Sequence, residues 1–439
     1  MFNPVSEPSF RLDVAGLHDV FEVLAFTGSE AISAPFVFDI QLLIADRMLD
    51  LASLLYRSAA LHFGPVGSCV HGQLQEIVQR DHGGGVRLCQ ARLGPRLACL
   101  AQRVSQRIFS GRTVPEILGQ VLKEHGIVGK ARRFELSGEY PPRDFCTQYR
   151  ESDLQFCQRL CAEERIHYRF EHHANLHCLV FSDAPRDFPV GEFAMFRTEG
   201  GAPAVRQFEH QRSDQSAVQL AQCRTDLPTL RSGQLMPLAG HPVTQCNHRW
   251  LLTSVDHHGS QDMAAPYHNQ VRALHWATPF EPPCPAAKPR MHSLHRAWVV
   301  EVDEPTPDPE RPVPVQFDWI YQGEGAVSSH CWLALDPQLQ SSTGATLHEG
   351  TELVVSFIEG DPDQPLITGV LHVPQATEEL DACVPPLDAV SEKVLQQWLH
   401  GGEPLMLLCL LPGGGSFNHC AQVLCSCRAA TWLGQSGSL

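Results

Sequence analysis

Glu352-Leu353-Val354-Val355-Ser356-Phe357-Ile358-Glu359-Gly360-Asp361-Pro362-Asp363-Gln364-Pro365-Leu366-Ile367-Thr368-Gly369-Val370 reads as two strands joined by an acidic turn. Leu353, Val354, Val355, Phe357 and Ile358 supply β-branched and aromatic residues, and Leu366, Ile367 and Val370 do so on the far side. Pro362 and Pro365 bound the strands, since neither donates to a ladder. The turn is expected to lie in solvent, with the hairpin inside a five-stranded barrel over residues 297–374. The other strands expected there are Trp298–Val302, Val313–Trp319 and Cys331–Leu335.

Further along the chain, 146–171 combines a helix and a strand. Ser152 caps the helix, and Asp153 in its first turn is favoured by the helix dipole. Leu154, Cys157, Leu160 and Cys161 fall on one apolar stripe. Ile166, Tyr168 and Phe170 then alternate with polar residues, the pattern of a half-buried strand. Thr113 caps a second helix, with Pro115 in its first turn and Ile117, Leu118, Val121 and Leu122 buried. Phe10–Val14 and Phe21–Phe26 read as alternating strands, and Ser33–Ile40 follows them.

The hairpin 352–370 resembles the one in the small OB-type barrel of VgrG proteins. These are the spike proteins of bacterial type VI secretion, related to the hub of contractile phage tails. The Arg150-Glu151-Ser152-Asp153 block, with its helix and strand, resembles the same family, as do Ser33–Ile40, Gln316–Trp319 and Ser329–Trp332. The resemblance covers residues 9–374. It implies a mainly β (α+β) fold: hub-type β-barrel domains with inserted helices over 1–280, a proline-rich linker 281–296, an OB-like barrel 297–374, and an unassigned α/β tail 375–439. Leu238–Pro242 and Trp250–His257 resemble paired strands of a second, shortened hub barrel. The β-helix repeats of longer members are not found after Pro374. The tail instead carries one amphipathic stretch, 388–400, with Val390, Val394, Leu395, Trp398 and Leu399 on one face, then an apolar strand 404–411.

Composition bounds the function. The 439 residues exceed one ordinary core, so two to four domains are expected. A hydrophobic content of 43% suits a globular protein. A net charge of -16 argues against nucleic acid as a partner, because phosphate contacts need a basic face. No signal peptide is legible at Met1-Phe2-Asn3-Pro4, and the longest apolar run, Pro404–Leu411, falls far short of the ~20 residues that span a bilayer. The chain is therefore expected in the cytoplasm without a membrane anchor, exported only by a dedicated machine. Sixteen cysteines without regular spacing read as small core residues in a reducing compartment.

Three clusters invite a chemical reading. Glu359, Asp361 and Asp363 resemble a Ca²⁺ loop or an acid/base pair, but lack the rest of an EF-hand. A turn whose aspartates bond nearby amides is the simpler reading. His172, His173, His177 and Cys178 contain metal-ligating types, yet neighbouring strand residues face opposite ways. In the tail, Cys409, His419, Cys420, Cys425 and Cys427 are zinc-ligand types without standard knuckle spacing. Nucleophile-elbow and phosphate-loop motifs are absent, and His348-Glu349 lacks a second zincin histidine. No catalytic, cofactor or metal residue is therefore assigned, no cofactor is expected, and the chain is read as a non-enzyme.

By resemblance, the expected function is that of a homotrimeric spike capping the Hcp tube. Its partners would be Hcp, baseplate components and an effector or tip protein. Two alternatives stay open: a degenerate adaptor binding an effector or baseplate component, and an effector with a zinc- or thiol-dependent tail.

Overall fold

The computed structural model describes residues 10–372 apart from 47, 65–68, 81–86, 174, 201, 213–218, 262–265, 284–286, 320–329 and 343–346. The tail expectations, for the helix 388–400, the strand 404–411 and the Cys/His group, lie outside the described residues. The fold is mainly β with few helices, and the described residues divide into two compact units: 10–291 with Asp361–Gln364, and 292–360 with 365–372.

The first unit begins with a six-stranded barrel. Its strands are β1 (Arg11–Val14), β2 (Phe21–Ala31), β3 (Ala34–Ile44), β4 (Ser58–His62), β5 (Cys69–Arg80) and β6 (Arg87–Gly94). They run β1-β4-β5-β6-β3-β2, and β2 returns to pair with β1. Alternation turns Val23, Phe26, Phe38, Ile40, Leu42, Leu61, Leu74 and Ala91 inward. Gly28 is required where the wall crosses Phe38, because a Cβ there would come within 2.2 Å of the ring.

Between the barrel and the next strands lies a helical lobe: β7 (Val104–Phe109), α1 (Val114–Glu124), β8 (Arg132–Glu135), β9 (Cys146–Ser152), α2 (Asp153–Glu163), β10 (His167–His173) and β11 (Leu176–Ser182). Thr113 and Ser152 cap the helices as expected, and each cap is closed into a capping box, by Glu116 and by Gln155. Phe156, Cys157, Leu160 and Cys161 of α2 pack with Ile117, Leu118, Val121 and Leu122 of α1; Leu154 is only partly covered. β10 departs from the half-buried expectation. His167, Tyr168 and Arg169 are all buried, so both faces are covered near its start.

The sheet then continues outward from β2. After β12 (Ala194–Met195) come β13 (Val205–Arg212), β14 (Gln219–Thr225), β15 (Leu235–Ala239), β16 (Arg249–Ser260) and β17 (Tyr267–His275). The order is β2-β16-β17-β14-β13, with β15 on β16 and β12 on β15. β2 is thus a wall of the barrel and the first strand of this second layer, pairing Ala25–Ala31 with Ser260–Ser254. Trp250, fully buried, anchors the second core with Leu252, Val255 and Val271.

In the second unit, β18 (His295–Val299), β19 (Val313–Phe317), β20 (Cys331–Leu335), β21 (Glu352–Phe357) and β22 (Pro365–His372) close a five-stranded barrel, with the short helix α3 (Pro337–Ser342) after β20. Ala297, Val315, Phe317, Leu353, Val355 and Ile367 are shut inside it. β18 starts three residues before the expected Trp298, because His295–Trp298 pair with Val355–Glu352. The last residues of the expected linker are therefore strand, and Met291 in that segment is buried.

Candidate functional site

The acidic and histidine clusters marked in the sequence among the described residues have defined environments, and the strongest polar site was marked only as the start of a helix. Asp361 and Asp363 flank Pro362. Asp361 Oδ1 accepts from the Asp363 N–H at 2.9 Å, the local turn bond expected of such a residue. The turn is not an exposed tip, however. Pro362 is buried, and Asp361 and Asp363 are half-buried. Asp363 Oδ1 accepts from the Thr147 N–H at 2.6 Å, and Thr147 Oγ1 donates to the Pro362 carbonyl at 2.7 Å. Lys288 Nζ lies 2.6 Å from Asp361 Oδ1 and 2.7 Å from Asp363 Oδ2. Burial acts against the Asp361 carboxylate, but Lys288 more than offsets it and holds its pKa below the ordinary value. The third carboxylate, Glu359, is exposed and sits at φ 52°, just before Gly360 at φ 73°.

His172 and His177 are a cross-strand pair on β10 and β11, and His71 of β5 completes a group of three imidazoles. His173 is exposed and falls with Leu176 in the pairing, while Cys178 is opposite Glu171. The suspected four residues therefore do not converge. His348 and Glu349 sit in a turn, where Thr351 Oγ1 donates to the His348 carbonyl. Among the described residues, no group of three or more His, Cys, Asp or Glu is placed to hold a metal ion.

The site missed from sequence centres on Asp153, whose side chain is fully buried at the first turn of α2. It accepts from Arg103 Nε at 2.5 Å, Arg107 Nη2 at 3.1 Å and Gln148 Nε2 at 2.8 Å, and His125 Nε2 lies 2.6 Å away. Burial pushes its pKa up, but hydrogen bonds from His125 and Gln148 and the two guanidiniums bring it below the usual value. Glu124 engages the same two arginines. The cluster ties β7, α1, β9 and α2 at one point. Ser152 and Asp153 were legible as cap and first turn; the partners lie up to 50 residues away and leave no local signal.

A second buried chain runs through the wall shared by the two layers. Glu30 Oε1 lies 3.7 Å from Arg231 Nε and 3.4 Å from His257 Nε2. His257 Nδ1 meets the Tyr267 hydroxyl at 2.6 Å, Asn269 Nδ2 donates to that hydroxyl at 3.0 Å, and Thr225 Oγ1 donates to Asn269 Oδ1 at 2.7 Å. Burial raises the Glu30 pKa, yet Arg231 and His257 bring it down to about 2. A carboxylate, imidazole and phenol in series suggest acid–base chemistry, but Glu30, His257 and Tyr267 are all buried. The chain positions strands and offers no entry to a substrate.

Residues 29–194, from β2 to β12, match the family model described as phage tail baseplate hub. The chain is 33% identical to the type VI secretion system spike protein VgrG4b of Pseudomonas aeruginosa, over 85% of this chain and 57% of that protein. It is 28% identical to the actin cross-linking toxin VgrG1 of Vibrio cholerae, over 90% of this chain and 44% of that one. The chain thus spans about half the length of these curated relatives. Its fold matches the E. coli c3393 protein, a type VI component with structural similarity to T4 tail proteins gp27 and gp5. That match has a TM-score of 0.69 and 24% identity, covering 82% of this chain and 99% of that one. With its six-stranded barrel, its helical lobe and its closed five-stranded barrel, the chain belongs to the VgrG family of type VI secretion spike proteins, kin of the phage tail hub.

Proposed function

We propose that this chain is a structural hub of the type VI spike. In this reading it caps the Hcp tube as a homotrimer, is held by baseplate components, and carries an effector or tip protein. The observation that carries the reading is one chain holding both a six-stranded barrel and a closed five-stranded barrel within the spike family. Closed barrels leave few strand edges and form stiff bodies, which suits a part loaded mechanically. The proposed division is 1–280 as hub region and 297–374 as OB-like barrel. Residues 1–374 act by shape and interface, with no turnover and no nucleic-acid partner. The chain waits in the cytoplasm and leaves through the secretion machine.

Light scattering coupled to size exclusion tests the assembly. A particle of three 48.6 kDa chains is expected, and a monomer at micromolar concentration would favour an adaptor. Deleting the gene is expected to stop Hcp release or delivery of one effector. Undiminished secretion in a strain without a paralogue would overturn the reading.

A further inference from the structure

The helical lobe is fastened to the barrel wall by histidines. The His71 backbone N–H donates to His172 Nδ1 at 3.1 Å, and His71 Nδ1 faces His177 Nδ1 at 3.4 Å. Ring centroids are 5.7 Å apart for His71 and His177, and 6.3 Å for His172 and His177. Phe36 of β3 packs edge-on to both lobe histidines, at 5.1 and 5.7 Å.

This geometry fixes protonation. His172 Nδ1 accepts a hydrogen bond, so its proton sits on Nε2, which is shut from solvent and has no hydrogen-bond partner among the described residues. Between His71 and His177, one Nδ1 donates and the other must keep its lone pair. A further proton on His172 sets N–H against N–H; in the His71–His177 pair the ring that donates can take a first extra proton on Nε2, and only protonation of the accepting ring's Nδ1 breaks the contact. Charges facing the group do not relieve this. Arg231, in the loop before β15, and Arg96, in the short helix after β6, both oppose an imidazolium. Glu30 of β2 favours one at His172, but its carboxylate is already engaged by Arg231 and His257.

We propose that this seam is an acid-sensitive latch, in which neutral imidazoles hold β10–β11 against β5 and protonation releases the lobe while the barrel stays closed. Burial lowers the pKa of all three histidines, so a released state, with ordinary imidazoles, binds more protons than the latched one. Linkage then weakens the latch as pH falls below about 6.5. The neutral attachments, such as the Ser33 N–H to the Tyr168 carbonyl at 2.8 Å, are not themselves titratable.

Hydrogen exchange of the full chain at pH 7.5 and 5.0, corrected for intrinsic rates, tests the latch. Peptides covering β10 and β11 are expected to lose protection by about tenfold or more at pH 5.0, while the barrel strands β2 and β3 change by less than about twofold. The double variant His172→Asn/His177→Asn, which keeps a short polar group at each position, is expected to lose this pH dependence. His167→Gln on the opposite face of β10 is expected to keep it. If the double variant fails to fold, the wild type and His167→Gln decide alone. Protection in β10–β11 that ignores pH, an unchanged response in the double variant, or a response abolished by His167→Gln would each overturn the proposal.

Discussion

At the scale of single residues, buried charge governs this molecule. Asp153 has four donor groups within 3.1 Å, and removing it leaves two arginines around an empty position. Asp153→Ala is expected to cost about 3–5 kcal/mol in urea denaturation, the range for breaking a buried pair. Glu30 makes a pH-dependent contribution. Its folded pKa of about 2 lies below the unfolded value near 4.5, so its stabilisation is present above pH 4.5 and lost as pH falls towards 2. Glu30→Gln is expected to flatten the fall in stability across that window, read as the urea midpoint at pH 4.5 and pH 2.5. Asp153 was legible only as a residue of the first helical turn, and Glu30 was not legible as special at all. A carboxylate in an alternating strand reads as solvent-facing, and only the partners, 201 and 227 residues away for Glu30, reverse that reading.

At the scale of elements, local signals were read well and long-range ones poorly. The caps Thr113 and Ser152 of α1 and α2 and the hairpin β21–β22 follow from neighbouring residues, and they form as expected. β10 was misread because His167 and Arg169 are polar types on what looked like a water face. Arg169 instead bonds Glu135 and Glu171 at 3.0 Å, and His167 packs on Phe188 at 4.8 Å. The parallel pairing of β20 with β22 has no sequence signature, since parallel partners carry no connecting turn. The exposed-turn expectation failed for a similar reason: Thr147 and Lys288 lie far from the turn in sequence. Thr113→Ala is expected to lower stability by about 1 kcal/mol through the lost cap, with Thr113→Ser largely preserving it. Gly28→Ala forces a Cβ into Phe38 and is expected to cost about 1–3 kcal/mol by thermal denaturation, whereas Gly111→Ala meets no neighbouring atom and reports only its φ of 64°.

At the scale of the first unit, the six-stranded barrel and the second layer are joined by a strand, β2, that serves both. Alternation revealed strands and the barrel at 297–374, and the resemblance implied the hub barrels, but neither showed that β2 belongs to both layers, because a shared strand looks like any other. Synthesis makes this sharing consequential. The barrel strands β1–β6 are all present once residue 94 has been made, yet β2 keeps Ala25–Ala31 unpaired on its outer side until β16 arrives. At ~5–20 residues per second, translation of the roughly 160 residues in between takes on the order of 10–30 s. Throughout that interval the nascent chain presents an open row of amides and carbonyls. Neighbouring chains on the same message carry the same strand, and the ribosome's pace over the lobe sets how long they compete for it.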